Sequence, residues 1–480
     1  MPLFSFEELA NVTGGKWLNL PPKSPNFLSY INIDTREKVP NSLFIALKGD
    51  NFDGHDFLNE AIQNGAQALC VEEKKYNKSS FKTPTPILEV RNSLLALQEI
   101  ALYHRQKLQD LTLIAVTGSN GKTSTKEILS QILIHEYGEE KVYATTANTN
   151  NHIGVPLNLL KLMEKHKFAV IELGTNHPGE IDLLASITIP DIAIITSIGP
   201  AHLEYFKNLD GVAHEKSSIF NYFHPGSNKY LAIIPENILK YEPVREALFK
   251  KKYLTFSTNS TTSFITYNPI SASIKNSTFE LIWNNIGIKQ TSTWNILGNH
   301  QLENASAAAA AATHIGIKPE NIAKHLQKCR LTGMRMRVRE VNGITIINDA
   351  YNANPTSMAA GIKWLQSIVV RPLKNNYFVV FGDMFELGDK ALKAHIDILN
   401  LAIEKLYGCH IVTIGSIMKE AIYCIKKEKE LTDVNIINLP DSEKGAFYII
   451  EKAKSGDIIY LKGSRRNKLE KIDESFKAYL

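Results

Sequence analysis

Leu111-Thr112-Leu113-Ile114-Ala115-Val116-Thr117-Gly118-Ser119-Asn120-Gly121-Lys122-Thr123-Ser124 reads as an apolar strand, a tight glycine loop and the start of a helix. Two glycines let main-chain N–H groups turn inward around an anion, Lys122 adds a point charge for phosphate oxygens, and Thr123 offers a hydroxyl to Mg²⁺. The spacing is a shortened Gly-x-x-Gly-Lys-Thr, because Val116 stands where the common phosphate loop has its first glycine. A plain glycine turn with a solvated lysine is the alternative. The order strand, loop, Lys-Thr favours a triphosphate cradle formed by Thr117, Gly118, Ser119, Asn120, Gly121, Lys122, Thr123 and Ser124.

Working outward, helical periodicity follows over Thr123 to His135, with Ile128, Leu129, Ile132 and Leu133 on one face. A second apolar strand, Phe168 to Gly174, carries Glu172 at its carboxyl end, and a third, Asp191 to Ser197, leads into His202. Ligands of open α/β sheets sit outside that edge, so Lys122, Glu172 and His202 point to a metal-assisted phosphate site. A carboxylate simply emerging into solvent and a satisfied lone histidine are the plainer readings. Lys216, on a predicted helix from Gly211 to Phe220, passes on its own as a surface lysine.

At 480 residues the chain has length for about three domains. Its composition, 44% hydrophobic and 21% charged with a formal charge of +5, is that of a globular protein without a basic run, which argues against nucleic acid as a partner. Cys70, Cys329, Cys409 and Cys424 lack Cys-x-x-Cys spacing and read as reduced thiols of a cytoplasmic protein. Met1 to Glu8 has no leader pattern, and no stretch approaches the roughly 18 apolar residues of a membrane helix. A monomer is the default expectation.

Before the cradle, residues to about Gln109 mix short strands and helices. Asp34-Thr35-Arg36 and the Asp53-Gly54-His55 loop after a strand at Leu43 to Leu47 suit ligand contacts at strand ends, to a diphosphate or a uracil edge in the case of Thr35 and Arg36; ordinary turn chemistry suits them equally. After it, Thr145 to Pro156 is polar and turn-rich and includes Asn150 and Asn151. A hairpin is predicted from Thr278 to Trp283 and Ile286 to Thr291 about Asn284-Asn285, within a looser stretch beginning at Lys229. An alanine-rich helix runs from Ala305 to His314, with Asn304 at its start either reading a purine edge or capping the helix. From Leu331 onward, strands at Ile344 to Ile347, Tyr377 to Phe381, His410 to Ile414 and Asp457 to Leu461 alternate with helices, as in a parallel sheet of nucleotide-binding type without its own cradle.

Taken in order, the segments from Asp34-Thr35-Arg36 through the cradle, Asn150-Asn151, Glu172, His202, Lys216, Asn304, Asn348 to Pro355, Gly382 to Gly388 and Lys462 to Arg465 resemble the ATP-dependent Mur ligases of peptidoglycan synthesis. The resemblance implies an α/β chain of three domains: 1–109 for a UDP-sugar, 110–330 a central phosphate-loop ATPase-type parallel sheet, and 331–480 a Rossmann-like closing domain. It implies ATP and Mg²⁺ as cofactors, and UDP-N-acetylmuramoyl-tripeptide and D-alanyl-D-alanine as small-molecule substrates. Thr123, Glu172 and His202 would serve the metal, with Lys216 as a carbamylated lysine. Asn304, Arg335 and Asp349 would go to ATP, and Thr35, Arg36, Asp53, Gly54, His55, Asn150, Asn151, Asn352 and Asn354 to the UDP-sugar peptide. Where the family often has His-Asn before the alanine helix this chain has His300-Gln301, which leaves Asn304 as the better candidate than Gln301.

Rival readings are another amide ligase of the same superfamily, one that adds a single amino acid, such as a folate polyglutamate ligase, and a regulatory nucleotide-binding module that has lost ligation. Retention of Lys122, Glu172, His202 and Lys216 together argues against the second.

Overall fold

In a computed structural model the chain forms a three-domain α/β fold; the structure describes residues 4–19, 27–76, 81, 83–223, 230–369, 374–428 and 435–478. Met1 to Leu3 of the amino-terminal stretch, and Lys229, lie outside the described residues. The first unit is built on a five-stranded sheet in the order Lys16–Leu18, Ile87–Val90, Ala66–Glu72, Ser42–Ile45, Tyr30–Asn32, parallel except at its first pair. The central unit has nine strands, with Thr112–Thr117 between Ile192–Ile195 and Phe168–Glu172 and all three parallel. Register pairs Glu172 with Val116 and Ile195 with Thr117, so the three strands end level. That alignment brings the loops after them to one edge.

Strand Thr112–Thr117 is buried on both faces, as its unbroken apolar run requires. Leu113 and Ala115 face one core, shared with Ala96, Leu97, Ile100 and Ala101 of helix Ser93–Lys107; Ile114 and Val116 face the other, with Ile128, Leu129, Ile132 and Leu133 of helix Lys122–Tyr137. The first core runs without a break from Leu43 and Leu88 of the amino-terminal sheet into the central one. Those two units are therefore joined by packing as well as by chain.

Helix His300–Ile315 buries Ala307 to Ala312 completely against the phosphate-loop helix, where side chains larger than methyl would hold the two backbones apart. It begins five residues earlier than the composition predicts. Asn304 consequently sits in its second turn and does not cap it. The hairpin also differs: its strands are Ser277–Trp283 and Ile288–Trp294, and the turn spans Asn284 to Gly287 because Gly287 supplies the left-handed residue (φ 65°) that closes it.

The carboxyl-terminal unit has six strands in the order Arg337–Val341, Ile344–Asn348, Ile458–Lys462, Tyr377–Gly382, His410–Ile414, Ile436–Leu439, parallel apart from the first pair. Separate cores lie on its two faces. None of Cys70, Cys329, Cys409 and Cys424 is in a disulfide. Among the described residues no helix is long and apolar enough to cross a membrane.

Candidate active site

The carboxyl edge of the central sheet and the facing edge of the carboxyl-terminal sheet enclose a cleft of about 410 Å³. Ser119, Asn120, Gly121, Lys122, Thr123, Ser124, Asn150, Asn151, Glu172, His202, Asn304, Arg335, Asp349, Asn352 and Asn354 line it. Thr117 is buried at the end of its strand, donating from Oγ1 to the Leu173 carbonyl at 3.0 Å.

Gly118 (φ 153°) and Gly121 (φ 83°) are required by both conformation and space: a Cβ on the first would strike Thr196 Oγ1, and on the second Asn304 Oδ1. The loop does not turn every amide inward. Ser119 N–H donates to the Ser197 carbonyl and Asn120 N–H to Ser197 Oγ, each at 2.9 Å. The anion-facing donors are those of Lys122, Thr123 and Ser124, which precede the first helical bond, from Thr125 N–H to the Gly121 carbonyl at 2.8 Å. Lys122 Nζ donates to the Gly118 carbonyl at 2.8 Å, and burial, partly offset by Glu172, holds its ammonium below the ordinary lysine value.

Glu172 is a buried carboxylate with two unlike oxygens. Oε1 accepts from Asn150 Nδ2 at 2.8 Å; Oε2 is buried without a protein partner. A buried carboxylate oxygen in that state suits a cation. Thr123 lines the same cleft, and the pair fits Mg²⁺, which takes one or two protein oxygens and keeps water and phosphate for the rest. Among the described residues no three His, Cys, Asp or Glu side chains stand together at metal-holding spacing. His202 (φ 51°) has Nδ1 2.8 Å from Glu386 Oε2, though out of line for a hydrogen bond, and the imidazole holds the Glu386 carboxyl below the usual carboxylate range. Lys216 is fully buried in helix Leu209–Ser217; burial first, then the charge of Lys122, pushes its amine well below the ordinary lysine value.

Several predicted ligands have structural partners. Asn304 Nδ2 donates to Gln301 Oε1 at 2.7 Å and its Oδ1 accepts from Thr125 Oγ1 at 3.2 Å, so the amide braces the loop instead of offering a free edge to a purine. Gln301, set aside from the sequence, is what orients it; the i, i+3 spacing on a helix was the available signal. Asn354 caps helix Pro355–Ile368. Asn352 Oδ1 accepts from Ala353 N–H at 2.8 Å, and Asn151 Oδ1 from Gly154 N–H at 2.8 Å. Arg335 stacks on Tyr351, 3.9 Å from the ring centroid, and Asp349 Oδ2 accepts from Lys462 Nζ at 2.6 Å and from the Tyr460 hydroxyl at 3.1 Å. Lys462, Tyr351 and Glu386 also line the cleft; each lies in a segment that carries the resemblance but was given no role of its own.

The amino-terminal candidates do not line this cleft. His55 is buried, with Nδ1 2.6 Å from Asp53 Oδ1 and Nε2 accepting from Glu72 N–H at 3.0 Å, so neither ring nitrogen is open to a ligand. Gly54 lies against the Leu47 main chain, where a Cβ would come within 2.8 Å of the nitrogen. The Asp53-Gly54-His55 turn is thus scaffold for the strand end. Thr35 accepts at its carbonyl from Asn64 Nδ2 at 2.7 Å, and exposed Arg36 pairs with Asp34 through Nε at 2.8 Å.

The chain belongs to the Mur ligase family of ATP-dependent ligases. Family models match over residues 28–105 (Mur ligase family, catalytic domain), 116–312 (Mur ligase middle domain) and 334–465 (Mur ligase, glutamate ligase domain). Among its relatives the Bacillus subtilis protein, 33% identical over 477 residues covering 97% of this chain and 96% of that relative, is a UDP-N-acetylmuramoyl-tripeptide--D-alanyl-D-alanine ligase. The crystal structure of MurF from Acinetobacter baumannii superposes with a TM-score of 0.85 at 29% identity, covering 99% of each chain. MurF ligase from Thermotoga maritima, solved in complex with ADP, gives 0.79 at 26% identity over 94% of this chain and 97% of that one.

Proposed function

We propose that the chain joins D-alanyl-D-alanine to UDP-N-acetylmuramoyl-tripeptide, using ATP, to make the UDP-pentapeptide precursor of peptidoglycan in the cytoplasm. The observation that carries this is the cleft itself: Lys122 in a glycine cradle, opposite the unpartnered oxygen of Glu172, in a chain similar end to end to ligases of that name. Residues 1–109 would take the uridine nucleotide, through Thr35 and Arg36 once Arg36 leaves Asp34, 110–330 the ATP, and 331–480 would close over both.

The tripeptide's terminal carboxylate attacks the ATP γ-phosphorus and ADP leaves, giving an acyl phosphate. The free amine of D-alanyl-D-alanine then adds to that carbonyl, and phosphate and a proton leave as the amide forms. Two anions must meet in the first step, so cations and N–H donors are needed there: Lys122 and the first-turn amides hold the phosphates, and Arg335 lines the same cleft. Thr123 and Glu172, with His202 released from Glu386, would hold Mg²⁺, which supplies further charge neutralisation. Burial and the charge of Lys122 push the Lys216 amine well below the ordinary lysine value; it would add CO₂ with loss of a proton, and the carbamate would set a negative charge against Lys122. Asp349 accepts from Lys462 and Tyr460 beside the nucleotide, and the seated third unit keeps water from the acyl phosphate.

Phosphate release is measured with ATP and Mg²⁺, giving each substrate alone and both together, with mass detection of the product. Release only with both and a UDP-pentapeptide mass is the expected result. Release with a single amino acid as acceptor would move the enzyme to another step, and binding without turnover for any pair would leave a regulatory module.

A further inference from the structure

We infer that Asn354 is a positioning residue for ligation: docked on Asn120, it turns that amide's N–H donors toward the phosphates, so that seating the carboxyl-terminal unit completes the cradle. The inference deepens the ligation proposed above and rests on it.

The argument starts from an atom whose role cannot be reversed. Ser357 N–H can only donate, and it does so to Asn354 Oδ1 at 2.9 Å as the cap of helix Pro355–Ile368. Asn354 must then present Nδ2 on its other side, and this donates to Asn120 Oδ1 at 2.7 Å across the joint between units. The opposite orientation of Asn120 would set two N–H₂ groups against each other. Its Nδ2 is thereby directed away from Asn354, and it is buried with no partner in a residue that lines the cleft. Gly199 lies near it: a Cβ there would stand 3.9 Å from Nδ2, an ordinary contact.

The donor is needed because this end of the loop has few others. The main-chain amides of Ser119 and Asn120 are both held by Ser197, leaving the helix's first turn to serve the anion from one side only. A buried amide N–H₂ without an acceptor is costly, and a phosphoryl oxygen would relieve it. Asn354 belongs to the strand-end segment Asn348 to Pro355, 234 residues beyond Asn120 in the chain, so the bond exists only when the third unit is seated.

The test uses Asn354→Ser and Asn354→Asp, which keep an N-cap acceptor for Ser357 while removing the amide donor. Each is made in the parent chain and in Asn120→Ala. With saturating ATP, UDP-tripeptide and D-alanyl-D-alanine, kcat is expected to fall about tenfold in both single variants, while the KM of the two acceptor-side substrates moves less than twofold. In the Asn120→Ala background the same changes cost nothing further. Full kcat in both single variants, or an equal loss with and without the Asn120 amide, overturns the inference, the latter because Asn354 would then act by capping or docking alone. The parent chain run alongside separates this from the function: should it join a different acid and amine, the four-way comparison with that pair still decides the role of Asn354. Should it turn over no pair, the cycle is read in affinity for β,γ-methylene ATP, where non-additivity supports the inference and additivity overturns it.

Discussion

Arg105 Nη2 lies 3.0 Å from Asp191 Oδ2, both side chains sealed in the joint between the first and central units. Arg105 also donates to the Leu108 carbonyl at 3.1 Å, and Asp191 Oδ2 accepts from Leu113 N–H at 2.8 Å. Breaking this pair strands a buried carboxylate. Arg105→Leu is expected to lower stability by about 3–5 kcal/mol, measured by urea unfolding, while kcat per folded molecule holds, since Asp191 precedes strand Ile192–Ile195 at the edge opposite the cleft.

Gly121 and Gly179 have nearly the same backbone, φ 83° and 87°, but only Gly121 has a neighbour where a Cβ would go. Alanine at Gly179 costs about 1 kcal/mol in strain and leaves nucleotide affinity unchanged. Alanine at Gly121 must also displace Asn304, and the Kd for ATP rises about tenfold or more. Titration of both variants with ADP and ATP checks the contrast; equal effects at the two positions would rule out the Asn304 brace as the cause.

Burial pushes the His300 imidazole down to about 4, with Asp349 opposing and Lys462 assisting. The unfolded chain takes a proton near pH 6.5 and the folded chain does not until about 4, so stability is complete above 6.5 and is lost as pH falls through that window. The full loss from this one group is about 3 kcal/mol. His300→Gln removes that share of the acid slope, and comparing unfolding free energies of the two chains from pH 7 to 4 measures it. Burial also depresses His104 and His395, but both chains retain those histidines and their share cancels.

Lys216→Ala is expected to reduce ligation about a hundredfold and to regain part of it with formate or acetate, small carboxylates able to stand where the carbamate would. Lys216→Arg, a fixed cation beside Lys122, should not respond. Full activity of Lys216→Ala without additive would remove the carbamate from the mechanism.

Much of the cleft was legible in the sequence because its parts sit at strand ends. An apolar run announces a buried parallel strand, the first polar residues after it mark the sheet edge, and in this chain that reasoning reached Lys122, Glu172 and His202. It could not show where a polar side chain also closes a local structure. Asn354, Asn151 and His55 each satisfy main-chain groups nearby, the first two while lining the cleft, because asparagine and histidine serve turns and caps as readily as substrates. The start of the alanine helix was misplaced for a related reason: Asn304 is a favoured cap and, with His300, a weak helix former, but Gln301, Leu302 and Glu303 favour helix and Leu302 and Ala305 pack in the central core, so the helix starts at His300.

By itself the sequence determined the order of strands, cradle and helices, and with it the class of fold, since periodicity and glycine placement are local properties that the chain carries whatever its partners. The tertiary structure alone decided which polar groups meet: Asn120 with Asn354, His202 with Glu386, Gln301 with Asn304 and Thr125, and Arg105 with Asp191. Most of these pairs span dozens to hundreds of residues. Hydrophobic pattern says that a face will be buried, but the direction of a hydrogen bond depends on the group across from it, which packing supplies.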